Sequence, residues 1–511
     1  MQNRFVLAAL LAALAAPAAA APPSDNTAWV EAAADADVER AFAQARTERK
    51  PLLLYWGANW CPPCNQLKVT LFNRQDFAEH SKSFVAVYVD GDGPGAQKLG
   101  ARYKVRGYPT MILFTPDGRE ITRLPGEVDA PQVIATLQLG LGGGRPVTAV
   151  LADARAGRPL TANDWRLLSF YSWETDAQQL VPENERAGLL VTLAAAAPEG
   201  EAKTRLWLKA LAESDDGRGV KPDAGLRDRV RRVLADPARS RAQMDVLVNA
   251  SPSIVKALGS TPAERDGWRK SFDAALARLQ GDATLSRADR SSALIARVEL
   301  ARLEQDEKAL APRLPGPLVQ QVRALAERND REIANNYERQ AVVTADAYLL
   351  GRAGLWAESD ALLQRNLQKS PAPYYLMSQL GGNARKRGDT TQALRWYEQA
   401  FEGSEGPATR LQWGSSYVAA LVELAPADEA RIERAASQLI DEAGRDGASF
   451  HERSARSLQR MADKLSTWNA GGAHAATLQR LQSKLDGVCS RIDAADAQRA
   501  TCEGLLRKSG A

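Results

Sequence analysis

Trp60-Cys61-Pro62-Pro63-Cys64 closes the apolar run Leu52-Leu53-Leu54-Tyr55-Trp56 and opens the amphipathic run Asn65-Gln66-Leu67-Lys68-Val69. The pattern predicts a buried strand, a sharp turn, and a helix whose first turn carries two thiols. A cysteine at a helix N-terminus feels the positive end of the macrodipole and several unpaired N–H groups. Both favour the thiolate, which is the nucleophile. Two cysteines three apart in a helical turn can also close on each other. The stretch therefore predicts a reversible dithiol/disulfide.

Before it, Thr27 to Lys50 predicts a helix with the stripe Val30, Ala34, Val38, Phe42 and Ala45, Trp29 at its start and Pro51 as its stop. After it, the dithiol helix is expected to continue through Leu71 and Phe72, with a further turn over Asp76 to His80. Phe84 to Val89 reads as a second buried strand, ending in the turn-rich Asp90-Gly91-Asp92-Gly93-Pro94-Gly95. Gln97 to Tyr103 is a short helix. Gly107-Tyr108-Pro109 breaks the chain before a third strand, Thr110 to Phe114. Asp117-Gly118 turns into Ile121 to Leu124, and Val128 to Leu141 closes the unit as a helix.

Over residues 26–142 this order resembles the thioredoxin fold, an α/β unit. The residues carrying the resemblance are Trp60 to Cys64, Val105-Arg106-Gly107-Tyr108-Pro109-Thr110, and Gly126. Asn65 to Asp90 is most similar to the exported thioredoxin-like branch that includes the C-terminal domain of membrane electron-transfer reductases. The resemblance implies that Cys61 is the exposed attacking thiol and that Cys64, one turn deeper, is the resolving thiol. Pro63 matches the family's proline before the second cysteine. Pro62 stands where better-known members carry glycine or histidine. Together the two prolines stiffen the loop and remove two N–H donors. Pro109 matches the family's cis proline, which presents the Tyr108 backbone to an extended substrate, and Trp60 gives an apolar docking rim. The buried carboxylate of thioredoxin falls at Tyr55 and its lysine partner at Ala86, so no catalytic acid carries over.

The sequence also admits plainer readings of the pair. Cys61 and Cys64 are half a zinc site, but only His80 is near in sequence, so no metal is expected. A purely structural disulfide is the other alternative. Neither uses the strand–turn–helix context or Tyr108-Pro109.

Residues 143–147 are a Gly-rich linker, and beyond them strand signals nearly vanish. Residues 148–340 are expected to be all helical. In 341–403 a repeat resembles the tetratricopeptide unit. Ala353-Gly354-Leu355-Trp356 precedes Leu362-Leu363, and Arg387-Gly388-Asp389 precedes Ala393, Tyr397 and Ala400, with Gly354 and Gly388 34 residues apart. Ser359 and Asn366 stand where the repeat prefers small residues. Residues 404–511 are expected to be further helices. There a Cys489–Cys502 disulfide would staple a terminal helical hairpin, worth ~3 kcal/mol in a loop-entropy model. A second redox pair exchanging with Cys61/Cys64 is the alternative.

At 511 residues the chain is too long for one core. A net charge of +4 with 25% charged residues gives no basic footprint, so no nucleic-acid partner is expected. Residues 1–20 read as a signal peptide: Arg4, the apolar Phe5 to Ala15, then Ala18-Ala19-Ala20 with cleavage after Ala20. The apolar run is shorter than a membrane span. The expected location is therefore periplasmic or secreted, with no spanning segment after cleavage.

These readings converge on an exported thiol–disulfide oxidoreductase that reduces client proteins with cysteines. It needs no cofactor beyond the Cys61–Cys64 pair, and a membrane thiol electron donor would reload it. Oxidation or isomerisation is the runner-up direction. The reading from another class is a tetratricopeptide-like scaffold whose thioredoxin-like domain serves recognition.

Overall fold

The computed structural model describes residues 23–24, 26–124, 129–214 and 219–507. The expected signal peptide and Gly126 lie outside these residues. An α/β domain comes first, and a large helical region follows it.

The α/β domain is built on one mixed sheet of β1 (Trp29–Glu31), β2 (Leu52–Gly57), β3 (Val85–Asp90), β4 (Thr110–Phe114) and β5 (Glu120–Leu124), in the order β1-β3-β2-β4-β5. β1 and β2 run parallel to β3, while β4 runs antiparallel to both β2 and β5. All six residues of β2 are buried, as expected for a central strand covered on both faces. Its helices are α1 (Asp35–Glu48), α2 (Pro62–Leu67), α3 (Gln75–Ser81), α4 (Ala96–Arg102) and α5 (Ala130–Leu141). This is the thioredoxin-like topology that the sequence resemblance implied.

The start of the domain differs from the sequence reading. The stretch expected to begin a helix at Thr27 instead forms β1, and α1 starts only at Asp35. Trp29 pairs with Ala86 on β3. Its indole packs against the rings of Tyr55, Phe72 and Phe77, 5.9, 5.3 and 6.4 Å away between centroids. The Asp37 carboxylate accepts the Ala33 and Ala34 N–H groups, both at 2.9 Å, and so fixes the helix start. The stripe through Val30 and Ala34 had mixed strand and helix residues. A second difference lies after α2, which passes into a π-helical turn over Lys68–Phe72 before α3.

Beyond α5 no strand occurs among the described residues. The helical region wraps the α/β domain rather than extending from it. Leu167 and Phe170 of the helix Ala162–Phe170 join the core formed by Ile121, Leu124, Val133 and Leu137. Just beyond this helix the Ser172 N–H donates to the Arg123 carbonyl at 2.9 Å, partnering a backbone group of the edge strand β5. The helix Asn336–Arg352 packs along α2, with Tyr337 under the Lys68 ammonium at 4.6 Å. The helix Glu452–Trp468 packs on α4, and the Arg453 N–H donates to Gln97 at 3.0 Å.

Within this array, Asn336–Arg352 with Trp356–Asn366 and Pro373–Lys386 with Thr390–Glu402 form successive helix pairs. Each turns at a glycine with positive φ, Gly354 at 80° and Gly388 at 78°, a conformation that favours glycine. Ser359 and Asn366, polar residues within these pairs, are buried and hydrogen-bonded. Ser359 donates to the Ala347 carbonyl at 2.7 Å, and Asn366 donates to Leu362 O and accepts from Arg339, both at 2.9 Å.

Candidate functional site

β2 ends at Gly57, and the chain turns over Ala58 to Trp60 into α2. Cys61 is the N-cap of that helix and Pro62 its first residue. Proline suits this position because the first-turn N–H groups have no helical partner. With Pro62 and Pro63 lacking N–H groups, Cys64 supplies the next donor. Its N–H lies 3.2 Å from Cys61 Sγ, where it would stabilise a thiolate on Cys61. Cys61 and Cys64 are bonded, with Cα atoms 5.2 Å apart.

Tyr108 packs against this pair, and the Tyr108–Pro109 peptide is cis. The Tyr108 hydroxyl donates to the Gly91 carbonyl at 3.2 Å and accepts from Gln97 at 2.8 Å. Pro63 and Pro109 line a common cleft. The sequence-predicted residues Trp60, Cys61, Pro62, Pro63, Cys64, Tyr108 and Pro109 thus come together. Cys489 and Cys502 form a separate bonded pair inside the C-terminal helical core, with Cα atoms 5.7 Å apart.

The exposure expected of Cys61 is not observed. Cys61 is 2% exposed and Cys64 is fully buried. The pair packs against Ala58, Trp60 and Tyr108, and the helical region covers these neighbours in turn. Trp60, expected to be a free docking rim, stacks on Tyr375 with centroids 6.0 Å apart. The Arg453 guanidinium lies 4.4 Å from the Trp60 ring and 5.5 Å from the Tyr108 ring. Its charge pairs with Asp92 at 3.1 Å. Asp92 also accepts from the Trp60 indole N–H and from the Thr409 hydroxyl, the latter at 2.5 Å. One arginine therefore ties the loops before α2, after β3 and before β4 to the helical region.

Lys68, following the dithiol helix, and Asp90, at the end of the strand paired with β2, are largely buried charged groups that the sequence did not single out. Tyr55, at the carboxylate position of thioredoxin, is fully buried, and burial holds its phenol far above the usual range. Lys68, one turn beyond Cys64, is 5% exposed and donates to Asn59 at 2.8 Å. Burial pulls its ammonium down to about 8, opposed by Asp90. Asp90, at the end of β3, is pushed up to about 6 by burial and then by the Asp92 charge. The signal for Lys68 was its spacing of one helical turn from Cys64. The signal for Asp90 was its place at the end of a strand parallel to β2. Nothing in the sequence pointed to Arg453 or Tyr375.

No group of three or more His, Cys, Asp or Glu side chains placed to hold a metal ion occurs among the described residues. None of the described helices is long and apolar enough to cross a membrane.

Residues 38–140 match the family model described as a thioredoxin-like domain. The chain is 30% identical over 115 residues to thiol:disulfide interchange protein DsbD 1 of Pseudomonas aeruginosa, covering 22% of this chain and 20% of that protein. It is 34% identical over 99 residues to DsbD of Pseudomonas fluorescens, covering 19% and 17%. It is 35% identical over 92 residues to the chloroplastic thioredoxin Y2 of Arabidopsis thaliana, covering 18% and 52%. The chain thus spans about a fifth of the length of the interchange proteins it matches. Residues 38–140 are a thioredoxin-like domain, and the Cys61–Cys64 pair lies within it.

Proposed function

We propose that the protein is a thiol–disulfide oxidoreductase acting through Cys61 and Cys64. The observation that carries this reading is the position of Cys61 at the N-terminus of α2, with its sulfur beside the Cys64 N–H. The Cys61 thiolate attacks a substrate disulfide, bonds to one sulfur and expels the other as a thiolate. Cys64 then displaces the first sulfur and closes the Cys61–Cys64 bond. Two electrons and two protons pass from the dithiol to the substrate, which leaves as two thiols. Tyr108 and Pro109 border the site and Trp60 precedes it. Pro62 and Pro63 set the stiffness of the turn.

Reduction of client proteins is the direction proposed, supported by similarity to interchange proteins and a thioredoxin. A dithiol donor, at the membrane in the cell, then restores the thiols. The location proposed is the periplasm, after removal of residues 1–20. The helical residues 148–340, the tetratricopeptide-like 341–403 and the C-terminal 404–511, stapled by Cys489–Cys502, serve client selection. The test is turnover of a disulfide substrate by the full chain with a dithiol donor. Cys61→Ser is expected to abolish turnover, and Cys64→Ser to accumulate a mixed disulfide with the substrate. A pair found fully oxidised in cells overturns the reducing direction.

Burial of both sulfurs supports a second reading, in which the helical region is a partner-binding scaffold and the thioredoxin-like domain anchors or recognises. If Cys61→Ser leaves the cellular phenotype intact while deletion of 341–403 abolishes it, this second reading stands and the first falls.

A further inference from the structure

A cavity of about 890 Å³ lies where the ends of β1 and β3 meet the helical region. Its size is within the range of pockets that hold small ligands. Glu31, Tyr88 and Asp90 line it from the α/β domain. Tyr374, Glu405 and Asp446 line it from the helical region. Asn59 and Trp60 form its edge toward the dithiol turn, and neither Cys61 nor Cys64 is part of its walls.

The pocket is acidic. Seven carboxylates and two arginines line it. Three of the carboxylates are already matched. Asp37 pairs with Arg40, Asp92 with Arg453, and Glu442 with both Arg410 and Arg445. The other four, Glu31, Asp90, Glu405 and Asp446, form no salt bridge among the described residues. Asp446 accepts only backbone N–H groups, from Gly95 and Ala448, both at 3.3 Å. Like charges gathered in one concave wall focus a field that draws cations.

A second feature of the wall also calls for a ligand. Tyr88 is 2% exposed, and its hydroxyl has no hydrogen-bond partner. Burial, then the charges of Asp90, Tyr55, Asp92 and Glu31, hold its phenol far above the usual range. The hydroxyl therefore faces the same acids. A buried hydroxyl left unpaired is costly, and an N–H donated to its oxygen removes that cost. On the helical side Tyr374 is buried too, and burial, then Asp92 and Glu405, raise its phenol. The acids are spread along the walls, and no set of them is placed to hold a metal ion among the described residues. That spacing suits an elongated molecule with separated charges.

We propose that this pocket binds a small organic polycation, a linear molecule with two or more protonated amino groups. Each ammonium carries three donors and no acceptor, the complement of carboxylates and an open phenol oxygen. Hydrogen bonds from an ammonium to a carboxylate are about twice as strong as neutral ones. The site stands apart from the exchange chemistry and needs no reaction at the dithiol.

The test is calorimetric titration of spermidine into the full-length protein at about 0.15 M salt, where exposed charges are screened. A single saturable site is expected. Tyr88→Phe removes only the hydroxyl and should weaken binding about tenfold. Glu31→Gln and Glu405→Gln, both at exposed positions, should each weaken it about threefold and keep the test open should Tyr88→Phe fail to fold. Glu402→Gln, exposed but outside the pocket, should leave it unchanged. Absence of saturable binding overturns the proposal. So does binding untouched by all three pocket variants, or weakened equally by Glu402→Gln. Displacement of spermidine by an equal concentration of Mg²⁺ overturns it as well, since charge alone would then account for the binding.

Discussion

The guanidinium of Arg453 lies 4.4 Å from the indole ring of Trp60, the residue that precedes Cys61. The same guanidinium pairs with Asp92, and both side chains of that pair are nearly buried, at 12% and 9% exposure. A cation held over an aromatic face and desolvated in this way contributes ~1–2 kcal/mol. The contact joins the helix Glu452–Trp468 to the turn that starts α2.

Arg453→Ala is expected to free Trp60 and expose the reduced Cys61 thiol. Alkylation by iodoacetamide should speed up ~10-fold, the effect of ~1.4 kcal/mol on an opening equilibrium. Arg453→Lys keeps the charge but loses the planar face that stacks on the indole, and should fall between the two. An unchanged alkylation rate in Arg453→Ala would mean that other contacts hold the cover.

Asp90 makes stability depend on pH. Its carboxyl is pushed from 3.8 up to about 6 by burial and Asp92, with Lys68 and Arg453 opposing. Between these values the folded protein keeps a proton that the unfolded chain has released, so this group's contribution falls as pH rises from ~4 to ~6. The loss is ~3 kcal/mol at most. Asp90→Asn should remove it, so the variant gains on wild type in urea unfolding as pH goes from 4 to 7. A difference between the two proteins that stays constant over that range contradicts this assignment.

The Cys489–Cys502 bridge closes a loop with a sequence separation of 13. Replacing both cysteines by alanine should weaken the C-terminal helices by ~3 kcal/mol, read as faster limited proteolysis near the terminus. Turnover of the disulfide substrate should be retained. Its loss in a variant that still folds would instead make this pair a partner in electron transfer.

Gly414 sits where the helix Pro407–Leu424 meets its neighbours. A Cβ there would stand 2.9 Å from the Phe401 ring and closer still to Leu439. Gly414→Val should cost ~1–3 kcal/mol by overpacking, seen as a lower melting temperature. An unchanged melting temperature would show that Phe401 and Leu439 give way without cost.

Much of the α/β domain was legible in the sequence because its signals are local. β2, β4 and the dithiol turn follow from apolar runs bounded by Pro and Gly. β1 was missed because three residues are too short for a periodic signal, and Trp29 becomes a strand residue only through β3 and the aromatic cluster. The helix pairs turning at Gly354 and Gly388 were legible for the same reason as β2: the glycine conformation and the 34-residue spacing are properties of the chain itself.

The sequence by itself determined that Cys61 and Cys64 lie on the first turn of a helix after a buried strand. A macrodipole and a free N–H need nothing beyond neighbouring residues. Only the tertiary structure decided that these sulfurs are covered. Tyr375, Thr409 and Arg453 sit more than 300 residues beyond Trp60, and no local pattern encodes a contact over that distance. Burial of Lys68 and Asp90 was decided there too, because a pKa follows the surroundings of a group rather than its place in the chain.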